Sequence, residues 1–89
     1  MPARLYHWRT QAGAEVDIVL ERDGCLFPIE IKLISRPSKR DTRGISAFRA
    51  TYPNQKIAPG LVLAPTKEFR KISDNDFALP WNAVVESTQ

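Results

Sequence analysis

The chain has one cysteine, Cys25, and one histidine, His7, in 89 residues. A lone cysteine excludes an internal disulfide framework and points to a reducing compartment, so a cytoplasmic location is expected. A lone histidine, with no second histidine or cysteine at ligand spacing, argues against a zinc site. No apolar run approaches the roughly 20 residues of a membrane span, and no signal-peptide pattern is visible, so no membrane partner is expected. Glycine is scarce, with four in the chain, and none belongs to a phosphate-cradling loop. Internal repeats and low-complexity tracts are missing as well. What is there, 43% apolar and 26% charged, suits one small globular domain, expected over residues 1–85 with a disordered tail at 86–89.

The clearest local signal runs from Glu15 to Leu33. Val16, Ile18 and Leu20 alternate with Glu15, Asp17 and Glu21, and Cys25, Phe27, Ile29, Ile31 and Leu33 alternate with Leu26, Pro28, Glu30 and Lys32. Alternation with β-branched residues reads as two half-buried strands. Asp23-Gly24 between them favours a two-residue type I′ turn, whose central positions both need positive φ. With Asp23 and Gly24 as the turn, Arg22 faces Cys25, Leu20 meets Phe27, Ile18 meets Ile29 and Val16 meets Ile31. That makes one continuous apolar face. On the other face Glu21 meets Leu26, Asp17 meets Glu30 and Glu15 meets Lys32, and a slip by one residue would scramble both faces.

This register sets up a conflict. Asp17 and Glu30 are expected directly opposite one another, with Cβ atoms roughly 4.5–5.5 Å apart, where like charges destabilise. A divalent cation would remove the repulsion, because Mg²⁺ prefers carboxylate oxygens with water and substrate phosphates. The competing reading is a surface ion cluster in which Lys32 and Arg9 neutralise the pair.

Asp, a hairpin, then Glu-x-Lys resembles the core motif of the PD-(D/E)xK nuclease superfamily. The likeness extends to Leu5-Tyr6-His7-Trp8-Arg9, Gly13 to Leu20, Pro28 to Leu33, Ser38 to Phe48 and Ala78-Leu79-Pro80-Trp81. Together these segments look like one branch, a C-terminal domain of unknown function found behind an AAA-type ATPase module in many prokaryotic proteins. The resemblance implies an α/β (α+β) fold with a restriction-endonuclease-like core: helix, three antiparallel strands, helix, further strand. Only Met1 to Arg4 precede the first strand, so the leading helix is expected to be missing and the core truncated, with a short C-terminal extension. A sheet face left open, or a homodimer through that face, is the expected result.

The resemblance also implies roles. Asp17 and Glu30, with the Ile31 carbonyl, would hold one Mg²⁺, short of a further carboxylate that the leading helix often supplies. The metal would polarise a scissile phosphate and lower the pKa of its water. Lys32 would orient or help deprotonate that water and offset charge on the phosphate. Glu15, expected opposite Lys32, would instead tether the lysine if the site is structural.

Net charge is +3 with pI near 9.4, a mild basic bias. Its distribution is uneven, for Arg36, Lys39, Arg40 and Arg43 gather with only Asp41 among them. Ser38 and Asp41 resemble a capping box after Pro37, starting a helix that runs to about Tyr52 with Ile45, Phe48 and Tyr52 inward and Arg49 outside. Cations at a helix start oppose its dipole, whereas a phosphate there would be favoured. These four residues are therefore candidate nucleic-acid contacts, the alternative being a solvated basic run. Elsewhere Leu5 to Arg9 reads as a strand with Tyr6 and Trp8 packing on the core, His7 near Asp17 and Arg9 near Glu15. Ile57 to Leu63 reads as the fourth strand, interrupted at Pro59-Gly60. Phe69 to Ser73 reads as a short edge strand, and Trp81 is expected to clamp the tail.

The expected function is a PD-(D/E)xK nuclease-like domain of undemonstrated activity, whose site, if active, would hydrolyse DNA phosphodiesters with Mg²⁺. The alternatives are a catalytically silent module that binds DNA or assembles with an AAA-type ATPase, and a fragment that only dimerises.

Overall fold

A computed structural model describes residues 3–82, so the expected tail at 86–89 lies outside the described residues. The Asp23-Gly24 turn has positive φ at both positions, 52° and 78°, as a type I′ turn demands. It joins β2 (Glu15–Arg22) to β3 (Cys25–Ile31) with Arg22 opposite Cys25, Leu20 opposite Phe27 and Ile18 opposite Ile29. The hairpin register read from the alternation is therefore the observed one from the turn to Ile18 and Ile29; Val16, expected opposite Ile31 on the apolar face, enters the core on the other side instead.

Strand β1 (Arg4–Arg9) flanks β2 antiparallel after a turn closed by Thr10 and Ala14. A bulge interrupts this pair: Tyr6 faces Val19 but Trp8 faces Val16, so β2 spends one residue more than β1. A bulge re-aims side chains. Here it lets Val16 and Val19 both enter the core with Trp8, although their spacing would put them on opposite faces.

The connection after β3 forms a 3-10 turn (Lys39–Thr42) and then helix α1 (Arg43–Thr51). Asp41 accepts the Ser38 N–H at 2.8 Å, the reach-back half of the expected capping box. The chain returns through β4 (Lys56–Ile57) and β5 (Gly60–Ala64), both parallel to β3 and separated at Ala58-Pro59. Then come β6 (Arg70–Ser73) and β7 (Asp76–Pro80), β7 lying parallel to β5 and antiparallel to β6. The sheet order is β1-β2-β3-β5-β7-β6, with β4 on the β3 edge. This is a mixed α+β architecture.

The structure corrects several expectations. The tail segment is an internal strand, β7, and Trp81 at its end is 42% exposed, held by its N–H to the Ala64 carbonyl at 3.3 Å. Tyr6 is also exposed, leaving Trp8 alone of the pair in the core, where its ring meets Phe48 edge-on at 5.2 Å. Arg49 is not on the outside: its guanidinium pairs with Asp76, which is buried and also accepts from Ser73 Oγ at 2.7 Å.

The largest correction concerns which face is covered. Ile45 and Phe48 of α1 pack on Val16, Val19 and Leu26, so the helix covers the side of the sheet that carries Glu30. Small residues in the same rows, Val62, Ala64 and Ala78, leave room for it. The alternating apolar rows face away. Leu5, Leu20 and Phe27 form one, Ile18, Ile29, Leu61 and Phe77 a second, and Ile31, Leu63 and Leu79 a third. These side chains are half-buried or exposed, and Cys25 stands with them rather than in the core.

Candidate functional site

The regular β2–β3 ladder ends at Ile18 and Ile29. Beyond it the strands are held by side chains that replace main-chain acceptors. The Asp17 N–H donates to Glu30 Oε1 at 2.9 Å, and the Ile31 N–H donates to Asp17 Oδ2 at 2.8 Å. Asp17 and Glu30 therefore meet across the hairpin as expected, but each carboxylate is anchored on the opposite backbone instead of facing the other squarely. Each bond places a fixed dipole against a carboxylate, offsetting part of the like-charge repulsion.

Glu30 is 6% exposed. Its carboxyl is raised above the ordinary value, chiefly because burial penalises the charge and also because Asp17 is near; the Asp17 N–H and Lys32 work the other way. Lys32 leaves the end of β3 on the same side and places Nζ 3.8 Å from Glu30 Oε2. Glu15 does not tether Lys32. It pairs with His7 Nε2 at 3.6 Å, while His7 Nδ1 lies 3.2 Å from the Asp17 carbonyl.

The basic residues are divided by the fold. Arg40 and Arg43 line one cavity of about 370 Å³ together with Glu15, Glu30 and Lys32. Lys39 lines a separate cavity of about 450 Å³ with Ser46, Arg49, Ser73 and Asp76. Arg36 lies in a third, near Lys67 and Arg70. Arg40 and Arg43 thus share a cavity with Glu30 and Lys32, which Asp41 also lines, while Lys39 and Arg36 do not.

Gly44 makes that juxtaposition possible, and its role was not read from the sequence. A Cβ there would lie 1.8 Å from the Glu15 carbonyl oxygen, so only glycine lets the helix start come down on β2 beside the acids. The available signal was a glycine inside an otherwise good helix, a placement that costs stability unless close packing requires it.

Two carboxylates and a main-chain carbonyl are hard oxygen donors, the set Mg²⁺ accepts when water and phosphate complete its shell. Glu30 Oε2 and Asp17 Oδ1 accept no hydrogen bond from the described residues, so each acid retains one oxygen for such a role. The N–H and C=O of one residue in an extended strand point to the same side, so the Ile31 carbonyl is turned toward β2 as well. Among the described residues no three His, Cys, Asp or Glu side chains cluster as metal ligands. Any ion held here would depend on water and substrate for most of its shell.

This small mixed sheet with a buried acid beside a lysine belongs to a recognised class of domain. The family model described as "Domain of unknown function (DUF4143)" matches residues 1–84, and the chain belongs to that family. It is 32% identical over 85 residues to uncharacterized protein Rv2008c of Mycobacterium tuberculosis and, equally, to uncharacterized protein Mb2031c of Mycobacterium bovis. These matches cover 94% of this chain but 18% of each relative, so the chain spans about a fifth of their length. None of the described helices is long and apolar enough to cross a membrane.

Proposed function

We propose that this is a nuclease-like domain of the PD-(D/E)xK type, with a restriction-endonuclease-like core, acting on DNA with Mg²⁺. The observation that supports the reading is the buried Glu30 accepting the Asp17 N–H, with the Asp17 carboxylate accepting the Ile31 N–H and Lys32 at 3.8 Å, in a cavity that Arg40 and Arg43 also line. Asp17, Glu30 and the Ile31 carbonyl would hold the ion, which would supply an activated water and a polarised phosphate. Lys32 positions the water and offsets charge gathering on the phosphate, while Arg40 and Arg43 hold the non-bridging oxygens.

The test is plasmid nicking in Mg²⁺ or Mn²⁺. Asp17→Ala, Glu30→Ala and Lys32→Ala are each expected to abolish cleavage, with a loss of at least about a hundredfold, the scale of losing one charge-stabilising group. Cleavage that survives all three substitutions rejects the catalytic reading.

A second reading is a silent module that binds DNA or assembles with an AAA-type ATPase. It is favoured by the oxygen that each carboxylate already commits to a main-chain N–H, and by the lack of a third acidic ligand among the described residues. DNA binding without cleavage in any divalent cation would select it.

A further inference from the structure

A cavity of about 420 Å³ opens between the connection that follows β3 and the loop that follows β5, lined by Ser35, Arg36, Thr66, Lys67, Glu68 and Arg70. Three cations and two hydroxyls face one carboxylate. Arg36 and Lys67 make no ion pair or side-chain hydrogen bond with any described residue, and both are exposed. Arg70 donates to the Pro37 carbonyl and so pins one loop to the edge of the sheet. The Lys32 N–H bonds the Leu63 carbonyl at 2.9 Å, joining the same two connections at their roots.

The fold therefore holds like charges close together with too little negative charge to balance them, a placement that an entering anion would stabilise. Its position has independent meaning. Ser35 and Arg36 follow the carboxyl end of β3, and Thr66 and Lys67 follow that of β5; these strands are parallel neighbours. Ligands of open α/β sheets gather at that end. Lys32 leaves β3 at the same end, so this pocket and the acidic cavity are reached from one side of the molecule.

We propose that the pocket around Arg36 and Lys67 binds a phosphate of a DNA backbone, extending the footprint of the acidic site by one contact region. The inference rests on the DNA reading proposed above. Arg36, Lys39, Arg40 and Arg43 make no ion pair with any described residue, and their spread over three separate cavities suits a polyanion carrying several charges better than a single phosphorylated side chain.

The experiment is fluorescence anisotropy of a labelled DNA duplex in Ca²⁺ over a series of salt concentrations, with plasmid nicking in Mg²⁺ run alongside. The double variant Arg36→Ala/Lys67→Ala should weaken binding on the order of tenfold near 0.1 M salt, alike for unrelated sequences. Its log–log salt slope should flatten by about 0.9 for each lost contact. Arg36→Lys/Lys67→Arg should restore the slope, and Arg70 is left in place because it holds the loop. Unchanged affinity and slope in the alanine variant overturn this proposal, even if Asp17→Ala still abolishes nicking and the catalytic reading stands. A flattened slope with no nicking by the unsubstituted chain sustains this proposal and removes the catalytic one. An unsubstituted chain that binds no duplex at 50 mM salt overturns both.

Discussion

Glu30 combines burial under the helix, a carboxylate neighbour and a lysine whose amine stays 3.8 Å away. Its charged form is disfavoured in the folded state, so its folded pKa lies above the unfolded value. The linkage then has a definite sign. At pH below the unfolded value of about 4.3 both states are protonated and Glu30 contributes no difference. As pH rises through the raised folded value, the native state carries an increasing cost, which stays constant above it. Glu30→Gln keeps the oxygen that accepts the Asp17 N–H but cannot ionise. Its urea midpoint is expected to match that of the unsubstituted chain near pH 4, to rise above it as pH passes from the unfolded to the raised folded value, and then to keep a constant advantage. A difference independent of pH would contradict this account. A residue that lowers stability where it sits suits a functional site better than a scaffold.

At the scale of elements, the start of α1 against β2 is the critical contact. Glycine to alanine inside a helix ordinarily stabilises by roughly 1 kcal/mol. At Gly44 the new methyl would meet the Glu15 carbonyl at 1.8 Å, so backbone has to move. Gly44→Ala is expected to destabilise by about 1–3 kcal/mol, the range for overpacking, and thermal unfolding checks it. The same movement would carry Arg40 and Arg43 away from Glu30. The hairpin was legible because two unrelated signals, alternation and a positive-φ turn, agreed on one register. The covered face was not legible. Leu26, Pro28 and Val19 share a face with Glu21, Glu30 and Lys32 and look like an outer face until the bulge at β2 adds Val16 to them. β7 was missed because Asp76 and Pro80 at its ends resemble loop residues, and its neighbour β5 is distant in sequence. The Arg49–Asp76 pair joins α1 to β7 across a wider gap and leaves no local pattern.

At the scale of the whole molecule, one side of the sheet is apolar and uncovered by the described residues. Leu33 is 81% exposed and Leu5 69%. Scattered exposed leucines are ordinary, but here they border three cross-strand apolar rows, a contiguous patch of the kind that marks interaction surfaces. The isolated chain is expected to bind a fluorescent apolar dye while keeping its native far-ultraviolet circular dichroism. Leu5→Glu/Leu33→Glu should reduce that fluorescence and shift stability by no more than about 0.5 kcal/mol per site. Fluorescence unchanged by the double substitution would place the dye elsewhere. Composition and alternation announced this apolar surface correctly and misled only about which side of the sheet receives the helix.

The order in which this domain assembles follows from β3, the strand where antiparallel pairing gives way to parallel. Its partner in one direction is reached through a two-residue turn, while its partner in the other arrives only after a long crossover. Local ribbons close in microseconds and distant pairings lag behind them. Asp17 and Glu30 therefore confront each other in the nascent ribbon before α1 arrives to bury Glu30. The crossover then closes over an unresolved electrostatic tension, and mild acid should hasten the early phase of refolding by relieving it.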